Sequence, residues 1–143
     1  MAKDIKINPA YAPGKGVAEA LKHGASLAFS DTIHPSSDSS PYVMFNIPHN
    51  TFIADLIIET GTSYNGSYII AGFSGDSDAL IADTIVANAG THSMKNGLNS
   101  ATYRGGYNAS SDQKIYVAYD GSTGTIKGYI VYYGYSNENY VHP

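Results

Sequence analysis

The sequence predicts an all-β protein, a sandwich or a barrel, from three observations. Short runs rich in Ile, Val, Tyr, Phe and Thr recur along the chain, and clusters of Gly, Asn, Ser and Pro separate them about every ten residues. No long stretch carries the apolar spacing of a helix.

Residues 1 to 16, "MAKDIKINPAYAPGKG", hold Pro9, Pro13, Gly14 and Gly16 among lysines, a composition that resists packing and predicts an extended N-terminal arm. Residues 17 to 143 then form a single domain. "VAEALKHG" (17 to 24) fits a short helix stopped at Gly24, or a direct run into the next strand. "SLAFSDTI" alternates, and "HPSSDSSP" breaks the chain with two prolines and four serines. "YVMFNI" and "TFIADLIIET" read as strands parted by a turn at Pro48, His49 and Asn50. "SYNGSYIIAGF" places Asn65-Gly66 between β-formers, which predicts a hairpin. A second hairpin is predicted at "KIYVAYDGSTGTIKGYIVYYGY", its loop at Asp120 to Gly124.

Charged residues make up only 14% of the 143, so the surface is polar but weakly charged. With a net charge of −4, no overall field favours nucleic acid or an anionic membrane, and neither is an expected partner. Residues 1 to 22 hold four lysines against Asp4 and Glu19, a local +2. Between His23 and Met94 there is no Lys or Arg, yet seven acidic residues. The absence of cysteine removes disulfides, thiolate nucleophiles and Cys-ligated metals together. The N-terminus lacks a secretion signal and no run is apolar enough for a membrane span, so synthesis in a cytoplasm is expected. The sequons at Asn65 and Asn108 carry no meaning without a secretory route.

"GFSGDSDALIAD" (72 to 83) invites a catalytic reading that fails on spacing. A hydrolase elbow needs G-x-S-x-G, and here the second glycine arrives one residue early. Asp76 and Asp78 offer hard oxygen ligands without the spacing of a calcium loop. The stretch reads instead as a strand end and a turn relieved by Gly75, with Asp76 or Asp78 capping a short helix near Ala79-Leu80. The five histidines show no zinc spacing. Asp55 and Glu59 share one face of a strand and are expected to face solvent. No catalytic residue, cofactor or metal site is expected.

Nine of the thirteen tyrosines fall in the last 41 residues. In "TIKGYIVYYGY", Tyr129, Val131, Tyr133 and Tyr135 share one strand face and Ile130 and Tyr132 the other. Amphipathic rings in that number suit a subunit or partner interface, with cross-strand packing as the alternative.

The Pro- and Lys-containing arm, then "PHNTFIADLIIETGTSYNGSYIIAGFSGDSDALIAD" and a closing "GTIKGYIVYYGY", form an order that resembles the capsid decoration, or cement, proteins of tailed bacteriophages. The most similar part, "TFIADLIIETGTSYNG" leading to "YIIAGFSGDSDALI", covers about a quarter of the chain. The resemblance implies a jelly-roll-like β-sandwich on the virion's capsid surface, a homotrimer that binds the major capsid protein without catalysis. The residues expected to bind partners are Lys3, Lys6 and Lys15 of the arm and Tyr129, Tyr133 and Tyr135 of the closing strand. The other reading is a tail- or fibre-associated module that binds a receptor or glycan through exposed tyrosines such as Tyr103 and Tyr107.

Overall fold

The computed structural model describes residues 2–5, 26–83, 90–95, 103 and 105–134. Ten strands follow one another: β1 (Lys3–Asp4), β2 (Ser26–Phe29), β3 (Tyr42–Ile47), β4 (Thr51–Thr60), β5 (Ile69–Phe73), β6 (Asp76–Asp83), β7 (Gly90–Ser93), β8 (Tyr107–Ala109), β9 (Gln113–Tyr119) and β10 (Ile126–Gly134). One sheet has the order β1-β3-β9-β5-β6 and the other β2-β10-β4-β7, with β8 also on β4. The architecture is an all-β sandwich, and no element among the described residues is a helix.

Strand pairing shows how the chain is rolled. β2 pairs with β10, β3 with β9, β4 with β7 and β8, and β5 with β6, all antiparallel. The first half of the chain therefore pairs with the second half in reverse order, as one long hairpin whose apex is the turn between β5 and β6. Successive arms of that hairpin lie in alternate sheets. This wrapping makes the sandwich a jelly roll, and it places most chain crossings at its two ends.

Alternation within strands supplies the core. On β4, Thr51, Ile53, Leu56, Ile58 and Thr60 are buried while Phe52, Ile57 and Glu59 face out. The alternation slips once, because Val131 pairs with Asp55 and Tyr132 with Ile53, leaving Ala54 as a bulge. Ile69, Ala71, Leu80, Ile81, Ile115 and Val117 meet this layer from the other sheet. Burial of each large aliphatic side chain contributes about 1.5–3 kcal/mol, so this single core is the main source of stability in a chain without disulfides.

The structure corrects three expectations about turns and helices. Asn65-Gly66 forms no hairpin, because β4 and β5 lie in different sheets and residues 61–68 cross between them. Neither residue has the positive φ that the tight hairpin turn requires. Residues 120–125 likewise cross between sheets, so β9 and β10 are not a hairpin. The hairpin that does form, β5 to β6, turns at Ser74-Gly75, with Gly75 at φ 89°. Asp76 and Asp78 belong to β6, so they cap no helix. The expected helix at 17–24 lies outside the described residues.

The start of the chain is extended, but along the sandwich. β1 runs parallel to β3, Lys3 opposite Phe45 and Asp4 opposite Asn46. Asn46 Nδ2 donates to Asp4 Oδ1 at 2.7 Å, Ile5 N donates to Asn46 O at 2.9 Å, and Ile5 joins the core. The expectation that the composition of residues 1 to 16 resists packing does not hold for Ile5.

Candidate interaction face

The outward face of the β2-β10-β4 sheet gathers the residues that the closing strand brought into question. In register, Tyr129 lies between Phe29 and Ile57, Val131 between Leu27 and Asp55, and Tyr133 beside Phe52. Tyr132 and Ile130, on the opposite side of β10, pack into the core. The face is aromatic because three strands of period two, β2, β10 and β4, present their rings in the same direction.

Ring contacts order this face. Phe29 and Tyr129 meet edge to face at 5.3 Å and 87°, and Phe52 lies 6.2 Å from Tyr133. Lys127 Nζ stands 5.6 Å from the Phe29 centroid. Tyr129 Oη donates to Glu59 Oε1 at 2.6 Å, and this hydrogen bond to a carboxylate, with burial and the Glu59 charge, raises the phenol above its ordinary value. Leu27 and Phe29 are the exposed large hydrophobic side chains of the described residues, at 56% and 48%. The face is largely apolar, with Lys127 opposite Glu59 at one end and the half-buried Asp55 opposite Val131.

Of the sequence-predicted partner residues, the structure brings Tyr129 and Tyr133 together on this face. Lys3 is exposed on β1 of the other sheet, well away from them in strand order. Lys6, Lys15 and Tyr135 lie outside the described residues. Leu27, Phe29 and Phe52 escaped the sequence reading. The alternation of "SLAF" marks Leu27 and Phe29 as sharing a face, but which face is decided by their pairing with β10, a contact across about a hundred residues.

Tyr103 and Tyr107 are not a free platform. Tyr107 packs at a tilt on Phe73 at 4.6 Å and meets Tyr103 edge to face at 4.9 Å, and its hydroxyl donates to Gln113 Oε1 at 2.8 Å. Both rings pack against the core. Beside them an open cleft of about 730 Å³ runs from Asn46 and Pro48 to Ser74, lined also by Asp112, Lys114 and Tyr116. His49 N donates to Asp112 Oδ1 at 2.9 Å and the His49 ring nitrogen lies 3.2 Å from the same oxygen. These bonds hold the Asp112 carboxyl below the usual carboxylate range.

Asp55 and Glu59 share the outward face, but only Glu59 is exposed. Asp55 is half-buried beside the bulge, and burial raises its pKa against the opposing pull of the Leu56 backbone amide and the Lys95 charge. Among the described residues, no group of three His, Asp or Glu side chains converges to hold a metal ion. Ser74 sits exposed at the apex turn.

No family model and no curated protein matches the chain. Two solved structures share its fold. One is a chain of the acid-stable capsid of Helicobacter pylori bacteriophage KHP30, with a TM-score of 0.56 and 12% identity over 76% of this chain and 86% of that one. The other belongs to the capsid asymmetric unit of cyanophage Pam1, with a TM-score of 0.50 and 13% identity over 78% of this chain and 86% of that one. At these identities the likeness is one of fold, and it spans nearly the full length of both neighbours.

Proposed function

We propose that the protein is a non-enzymatic structural component of a virion, one that decorates the capsid of a tailed bacteriophage by binding its major capsid protein. The observation that carries this reading is the two-sheet fold shared over three quarters of the chain with chains of two phage capsids. The exposed Leu27 and Phe29 beside the aromatic residues of the β2-β10-β4 face support it, because such a patch is costly to leave in water and suits a protein partner. In this reading the protein acts as a homotrimer, and Lys3, exposed on the edge strand β1, together with Lys6 and Lys15 of the arm that follows it, contacts a neighbouring shell subunit. Many copies on a lattice stabilise it by mass action, since each binds only the assembled shell. Purified protein added to undecorated shells of its virus should cosediment to saturation and raise their melting temperature. Shells that neither bind it nor gain stability would contradict the proposal.

The second reading, a tail or fibre module that binds a receptor or glycan, draws on the open cleft beside Asp112, Lys114 and Tyr116. Polar groups beside an aromatic ring in a cleft suit a saccharide. In that case the protein binds the host's surface polysaccharide and ignores the shell.

A further inference from the structure

The edges of the two sheets differ in how they are protected. Natural sheets block open edges with charges, prolines, bulges or short strands, because unpaired backbone groups recruit other strands. In the first sheet, β1 carries Lys3 and Asp4, and β6 carries Asp76 and Asp78. In the second, one side of β4 is shared by the short β7 and β8, whose outward residues Thr91 and Asn108 are polar. β2, "SLAF", has no charge and no proline, and among the described residues nothing pairs with its outer edge. It also bears the exposed Leu27 and Phe29.

β2 is complementary to itself. In an antiparallel pair centred on Ala28, Leu27 of one copy lies opposite Phe29 of the other, twice over, as a two-fold interface requires. Both side chains point to the outward face, where Tyr129 already meets the Phe29 ring edge to face, so each new pair would extend an existing aromatic row. Ala28, at the centre, packs towards its own core and leaves room for close approach. Charge permits the contact as well. Lys127 stands opposite Glu59 on this face and the half-buried Asp55 lies two strands in from β2, on β4, so the uncharged β2 edge itself brings no like charges together.

We infer that β2 is a contact between two copies of this chain, which pair edge to edge across a two-fold axis and join their β2-β10-β4 sheets into one. A two-fold contact does not close a trimer, so on a decorated shell it links neighbouring assemblies. A four-strand-residue edge with two apolar side chains buries little area, so the pair is weak in dilute solution and forms where copies are crowded. The inference concerns the isolated protein and holds whether or not the chain proves to be part of a virion.

Sedimentation equilibrium of the full chain from about 10 μM to about 1 mM tests it. The wild-type weight-average mass should climb towards twice its low-concentration value, while Leu27→Lys and Phe29→Lys stay flat and keep the wild-type circular dichroism spectrum. A wild-type mass that never rises, or one that rises equally in folded lysine variants, overturns the inference. If both lysine variants unfold, Ala28→Cys decides, since the chain has no other cysteine. Under oxidising conditions a covalent dimer supports the two-fold register and a monomer overturns it.

Discussion

Asp120 holds two chain crossings together at one end of the sandwich. Its carboxylate accepts from Ser67 N at 2.7 Å, Ser67 Oγ at 2.5 Å and Tyr68 N at 3.2 Å. Asn65 completes the clamp from the other loop, its Oδ1 accepting from Ser122 N at 2.7 Å and Thr123 N at 3.2 Å. Between them Tyr64 is buried, its hydroxyl donating to Tyr68 O, and burial pushes the phenol up to about 12. Desolvation pushes the Asp120 pKa up, but the Ser67 and Tyr68 hydrogen bonds outweigh it and hold the group below its ordinary value. A carboxyl depressed in the folded state adds stability above its unfolded pKa, near 3.9, and loses it as pH falls through the folded value. Asp112 acts in the same direction, and the raised Asp55 acts in the opposite one. Asp120→Asn should therefore cost about 1 kcal/mol at pH 7, allowing for its exposure, and should shrink the drop in melting temperature between pH 7 and pH 3. An unchanged acid limb would show that Asp120 does not hold the loops.

Among the elements, β1 is the smallest and the most exposed to test. It is anchored by a short parallel ladder and by Ile5, which is only 3% exposed. Ile5→Ala should lower stability by about 2 kcal/mol, or about 6 °C in melting temperature, and leave the spectrum of the sandwich intact. A melting temperature equal to wild type would mean that β1 does not seat on β3. The strands themselves were legible in the sequence, since "YVMFNI" is a run of β-formers between turn residues and "TFIADLIIET" and "KIYVAY" largely alternate as half-buried strands do. Their partners were not. Asn65-Gly66 has the composition of a tight hairpin, yet Asn65 spends its side chain on the 120–125 loop and the chain changes sheet there. Turn chemistry reports local φ and ψ preferences, whereas the choice between hairpin and crossing depends on which faces the flanking strands must bury. The apex at Ser74-Gly75 was read as a turn, but a helix was expected after it because "DSDALIAD" carries capping residues that here sit on a strand. For the candidate face, the alternation of Tyr129 and Tyr133 was visible in the sequence, while Leu27, Phe29 and Phe52 join it only through long-range pairing.

At the scale of the whole molecule, the long rolled hairpin yields a frame with one face that is largely apolar and aromatic and carries Lys127, Glu59 and the half-buried Asp55. For the proposed role stoichiometry is the decisive quantity, because a shell coat and a tail component differ in the number of copies per particle. The most direct measurement is the copy number of this chain in purified particles from its source, by quantitative mass spectrometry against the most abundant protein present. A number comparable to the main shell subunit is the predicted result. A handful of copies per particle would move the protein to the tail or fibre, and its absence from particles would contradict the virion role altogether.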